Sequence, residues 1–203
     1  MSTLTTIIVL ICGLSLYEFF TNQEVTHPAG VIILQAPQQV NLPEPYQTML
    51  HKKATLEFLA NYTIQARVLS KETYYLDRFA DIAPIDLALG WQEMSNTAIL
   101  KQLHISQADR FYFFRWKDPA PLNPQLMAQE SANVHIIPAN DFIKNKIKKL
   151  REGHLIQISG KLVQATQPDG TKITSSLARD DTGAGACEVI YVTDMQVINP
   201  TSH

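Results

Sequence analysis

"NVHIIPANDFIKNKIKKLREGHLIQISGKLVQA", residues 133–165, decides the architecture, because its periodicity changes twice within 33 positions. Residues 133–139, "NVHIIPA", with the β-branched Val134, Ile136 and Ile137, read as a short strand. Asn140 is a helix-capping residue. Ile143, Ile147 and Leu150 then recur at helical spacing, Lys144, Lys148 and Lys149 form a solvated side, and Gly153 ends the run. From His154 the period becomes two. Ile156, Ile158 and Leu162 are the apolar positions, and Gly160 interrupts them where a bulge or sharp bend would sit.

Working outward, "NYTIQARVLSK" (61–71) alternates Tyr62, Ile64, Ala66 and Val68 against Thr63, Gln65 and Arg67, the pattern of a half-buried strand. "RFYFFRW" (110–116) reads as an aromatic strand, and "DPAPLNP" (118–124) as a loop. Residues 47–59 are expected to be helical, with Met49, Leu50, Ala54 and Leu56 as apolar positions, and Ser95 is expected to cap a helix over "NTAILKQL" (96–103). A hairpin turn is expected at Asp169-Gly170, and "KITSSLA" and "CEVIYVTDMQVI" complete the strands. Three strands, a helix and two further strands resemble an OB-like small barrel, in which a helix lies between the third and fourth strands. The expected class is therefore α+β. An N-terminal transmembrane helix precedes one mostly antiparallel β domain, an OB-like small barrel or sheet with one or two packed helices.

The N-terminal helix is read from "LTTIIVLICGLSLYEFF" (4–20), which is apolar for about 13 residues and carries Tyr17, Phe19 and Phe20 at one end. It lacks the basic start and small-residue cleavage site of a secretory signal. Residues 1–22 are thus expected as an anchor. Residues 23–46, with Pro28, Pro37, Pro43 and Pro45, are expected as an extended stalk, and residues 47–203 as the globular domain. The expected location is a membrane, crossed once, with the domain on the extracytoplasmic side.

A 203-residue chain can bury a sizeable core. A net charge of −2 gives no basic excess for nucleic acid. The partners expected are other membrane or extracytoplasmic proteins, with the membrane itself met through residues 4–20. Cys12 lies in the apolar segment, so Cys187 cannot pair within the domain.

The polar stretch "SSLARDDTGAGACEVIYV" (175–192) is read as a turn, "RDDTGAG", leading into a strand that opens with Cys187. "DTGA" matches the aspartic-protease signature, but only 19 residues follow it, too few for the lobe that signature introduces. Cys187 with His135 forms a candidate nucleophile and base, with Asp180 or Asp181 as the group orienting the base. Candidate binding residues are Trp91, Trp116, Asn140, Ser176, Arg179 and Asp181. No phosphate loop, dinucleotide fingerprint or zinc spacing occurs, and neither a cofactor nor a metal is expected. Two functions follow. One is a membrane-anchored binding or scaffold protein, such as a subunit of a membrane assembly. The other is a membrane-tethered hydrolase using Cys187 and His135.

Overall fold

A computed structural model describes residues 5–7, 23–178 and 187–200. The described residues form a mostly antiparallel β domain with a few short helices. In chain order these are β1 (Gln38–Asn41), β2 (Thr48–His51), β3 (Ala54–Thr73), β4 (Ile85–Gly90), a 3-10 turn (Gln92–Ser95), α1 (Thr97–Leu100), β5 (Leu103–Ala108), β6 (Phe111–Trp116), α2 (Pro124–Gln129), β7 (Ser131–Pro138), α3 (Asp141–Lys148), β8 (Leu155–Thr166), β9 (Lys172–Thr174) and β10 (Glu188–Val197).

Five strands pair in a closed ring, β3–β4–β7–β10–β8 and back to β3. All neighbours are antiparallel except β7 and β10, which run parallel. The alternation in β3 sends Tyr62, Ile64, Ala66 and Val68 inward, where they meet Ile85, Leu87 and Leu89 of β4, Val134 and Ile136 of β7, Ile156, Ile158 and Leu162 of β8, and Ile190 and Val192 of β10. Fully burying each large aliphatic contributes roughly 1.5–3 kcal/mol, so this inner layer is the main driving force. Gly160 is opposite Tyr62 on one side and Val192 on the other. A Cβ there would lie 2.2 Å from the Tyr191 carbonyl oxygen, so only hydrogen fits where the three strands draw together.

α3 takes the form its sequence implies. The Asn140 side chain accepts a hydrogen bond from the Ile143 amide at 3.0 Å, and Ile143, Ile147 and Leu150 join the inner core. Asp169-Gly170 turns the chain from β8 into β9, with Gly170 at φ +84°.

Three expectations are corrected. Residues 47–59 are not helical but hold β2 and the start of β3, joined by a turn in which Lys52 has φ +54°. Ala54, Leu56 and Phe58 alternate with Thr55 and Glu57, and the three apolar side chains pack in an outer cluster with Ile137, Val163 and Val189. The cap of α1 is Asn96, whose side chain accepts from the Ala98 amide, and the helix is one turn long, not eight residues. The expected transmembrane helix gains no support. Among the described residues no helix is long and apolar enough to cross a membrane, and all of residues 4–20 except 5–7 lie outside the described residues.

The Pro-rich stretch 23–46 is extended, and it lies along the domain. The Val25 amide donates to the Glu152 carbonyl, and His27 Nε2 contacts the Gly153 carbonyl at 2.7 Å. Gly153, at φ +84°, leaves no room for a Cβ against Val25. Ile32 and Ile33 donate their amides to Ser95 Oγ, and Ile33 is buried in the inner core. β1 then pairs with β3.

β5 and β6 form a separate hairpin laid on the outside of the ring. Its underside, including Tyr112, Phe114 and Trp116, packs on Leu69, Ala88, Met94 and Met127, while Phe111 and Phe113 face solvent.

Candidate functional site

His135 stands in the middle of β7. The antiparallel neighbour β4 places Asp86 directly opposite it, and the parallel neighbour β10 places Val189 opposite. Side chains alternate across a strand, so residues two apart share a face. Val134, Ile136 and Ile190 point into the ring, which turns Asn133, His135 and Val189 to its outer face. Cys187, two residues before Val189, is on that face as well. Asp86 on β4, His135 on β7 and Cys187 just before β10 thus form one row.

The row is dry at one end and open at the other. Asp86 has no accessible surface and His135 is 4% exposed, whereas Cys187 is half-buried. His135 Nδ1 lies 2.9 Å from Asp86 Oδ2. The approach is oblique, which makes the contact an ion pair more than a straight hydrogen bond. The ring also interacts with the Cys187 side chain. With Nδ1 turned to Asp86, Nε2 is the nitrogen left for the sulfur. Burial is the largest influence on the imidazole and by itself lowers its pKa. Asp86 and Cys187 together outweigh it and raise the pKa to about 9. His135 is therefore an imidazolium at neutral pH.

Asp86 is shared. Its Oδ1 accepts from Arg110 Nη1 at 2.8 Å. Arg110 also donates to the Ala83 carbonyl at 2.8 Å and grips Asp77 through Nε and Nη2 at 2.7–3.1 Å, with its guanidinium 3.8 Å above the Tyr74 ring. Side chains that are acidic, basic, acidic and basic follow one another from Asp77 to His135 and end at the thiol.

Local sequence explains how Arg110 arrives there. Asp109 and Arg110 form the two-residue turn between β5 and β6, both at positive φ (+52° and +70°), the geometry whose twist suits a tight hairpin. The tip is fastened twice more: Asn133 Nδ2 donates to the Arg110 carbonyl, and Gln107 Nε2 donates to Asn133 Oδ1, each at 2.8 Å.

The remaining expected residues are dispersed. Ser176 donates its amide to the Cys187 carbonyl, and Ser175 Oγ accepts from the Val189 amide, so residues 175–176 fasten the start of β10. Arg179, Asp180 and Asp181 lie outside the described residues. Asn140 is occupied as the cap of α3. Trp91 is buried and borders a cavity of about 190 Å³, together with Gln92, Glu130, Ser131 and Glu188. Burial, acting against hydrogen bonds from the Glu93 and Met94 amides, holds the Glu130 carboxyl above its ordinary range. Trp116 stacks on Phe114 at 6.1 Å and borders an open cleft with Lys101, His104, Arg115 and Lys117. Among the described residues no three His, Cys, Asp or Glu side chains are placed to hold a metal ion.

The chain matches no protein-family model, no curated protein and no solved structure.

Sequence reasoning missed Asp86 and Arg110. The signal for Asp86 was a lone carboxylate inside the apolar run "PIDLALG" (84–90). A charge in such a run is buried on folding, and buried charges are paired.

Proposed function

We propose that the domain is a cysteine hydrolase in which Cys187 is the nucleophile, His135 the acid and base, and Asp86 the group that orients His135. The observation that carries this reading is the row of Asp86 on β4, His135 on β7 and Cys187 just before β10, with Nδ1 of the imidazole 2.9 Å from the carboxylate.

The chemistry follows from the charges. Cys187 attacks as the thiolate paired with the His135 imidazolium. It adds to a carbonyl carbon, and the tetrahedral species collapses to a thioester while Nε2–H of His135 protonates the leaving group. The ring, now neutral, takes a proton from water as the resulting hydroxide attacks the thioester, which releases the carboxylic acid and restores the Cys187 thiolate beside the imidazolium. Asp86 keeps Nε2 facing the sulfur throughout and stabilises the imidazolium each time it forms.

The scaffold is read as an OB-like barrel. The pairing order supports it, since β3, β4, β7, β8 and β10 play the first to fifth strands, the third and fifth run parallel, and α3 lies between the third and fourth. Attachment to a membrane rests on the hydropathy of residues 4–20 alone.

The test is alkylation of Cys187 by iodoacetamide in the folded full chain, beside His135→Gln. The expected result is a neutral-pH rate at least about tenfold faster in the wild type, in which the His135 ring lies against the sulfur. A thiol that reacts only after the protein unfolds would sink the reading. A binding or scaffold role is the second reading, favoured by the exposed Tyr75, Leu76, Phe111 and Phe113. It is supported if Cys187→Ser leaves function intact while a stoichiometric partner purified with the chain is lost on Phe111→Ser.

A further inference from the structure

We propose that Arg110 is the positioning residue of this site: from the tip of the β5–β6 hairpin it holds Asp86 by Oδ1 and so presents Oδ2 to His135. The inference rests on the Cys187–His135 reading for its catalytic meaning and on geometry for everything else.

A carboxylate on a short side chain turns freely about its last torsion. Asp86 meets two cations, one at each oxygen, at 2.8 and 2.9 Å. Among the described residues only one of the two is itself anchored from outside the pair. Arg110 is fixed by the Ala83 carbonyl, by both oxygens of Asp77 and by the face of Tyr74, and its amide donates to the Tyr74 hydroxyl. The guanidinium fork is rigid and planar, so each of these contacts restricts the direction of Nη1. Among the described residues His135 has no comparable external anchor, its ring touching Asp86 on one side and Cys187 on the other.

The backbone agrees. A non-glycine pair at positive φ costs free energy and persists only where the surroundings over-determine it. At Asp109 and Arg110 the surroundings are the network above, together with the Asn133 bond to the Arg110 carbonyl. The charged and titratable groups facing the carboxylate come from every neighbouring element: Tyr74 and Asp77 from the segment after β3, Arg110 from the hairpin, His135 from β7 and Cys187 from the start of β10. The hairpin's seating on the ring and the protonation of His135 are then one equilibrium, coupled through a single guanidinium.

The test follows the His135 ring by NMR through a pH titration of the folded full chain, comparing the wild type with Arg110→Lys. Lysine keeps the positive charge and removes the fork, so a shift reports orientation and not lost repulsion. The expected result is a His135 pKa lower by about one unit or more, in protein that remains folded. Asp77→Asn, which loosens only the outer grip on Arg110, should shift it the same way by less, and it decides the matter if Arg110→Lys does not fold. A variant that lowers Tm but leaves the His135 titration unchanged overturns the proposal. The two readings fail separately: an unreactive wild-type Cys187 removes the hydrolase, and an unmoved His135 removes the role of Arg110.

Discussion

His135 and Asp86 face one another across a single rung of the β4–β7 ladder, Nδ1 to Oδ2, both buried from bulk water. The pair makes stability depend on pH. His135 titrates near 9 when folded and near 6.5 when unfolded, so folding is favoured by proton binding. That contribution is complete below about pH 6.5 and lost as pH rises through 9, with a ceiling of about 3 kcal/mol from the size of the shift. Urea unfolding at a series of pH values from 6 to 9.5 should show the decline in the wild type, and His135→Gln should flatten it.

Asp86→Ala removes the shared carboxylate and leaves Arg110 and His135 as adjacent cations, His135 buried. Breaking a buried pair from one side costs about 3–5 kcal/mol. Because Asp77 still neutralises Arg110, the loss belongs at the lower end. Denaturant midpoints measure it. A loss under 1 kcal/mol would mean that the carboxylate is not the keystone of the network.

Gly160→Ala should damage the closed ring itself. Its Cβ collides with the Tyr191 backbone, which cannot yield without parting β8 from β10. The expected cost is about 3 kcal/mol or more, as for a severe overpacking change. Hydrogen exchange should show lost protection along both strands, not only at the substituted position.

Ser95→Ala should release the extended stretch ahead of β1. One hydroxyl accepts from the Ile32 and Ile33 amides and donates to the Gln92 carbonyl. Leaving those buried groups unmade costs about 1–3 kcal/mol. Limited proteolysis should then cut between residues 28 and 37 before it cuts the ring.

The alternating strands and α3 were readable from sequence because their burial is one-sided, and one-sided burial leaves a period in the residues. Tyr62 to Val68 and Ile143 to Leu150 are of this kind. Residues 54–58 were misread as helical because the alternation of Ala54, Leu56 and Phe58 is broken just beyond by Leu59 and Ala60, both buried, at a bulge against β8. The run 85–90 is buried on both faces and so shows no period at all. The candidate site was half legible. Cys187 and His135 could be named from their chemistry, but Asp86 lies 49 positions upstream of His135, and only the β4–β7 register brings the two together. Asn140 was legible as the cap of α3, where its Oδ1 accepts from the Ile143 amide.

The parallel pairing of β7 and β10 has a temporal meaning. Strands that run the same way cannot be joined by a tight turn, and here the chain passes through α3, β8 and β9 before returning. Residue 187 is therefore synthesised after every other strand of the ring, and the contact it makes is among the slowest kind to form. Until that strand docks, His135 has no sulfur to face and the thiol lacks its cation. On the proposed hydrolase reading, the nascent protein carries an unarmed cysteine until β10 docks.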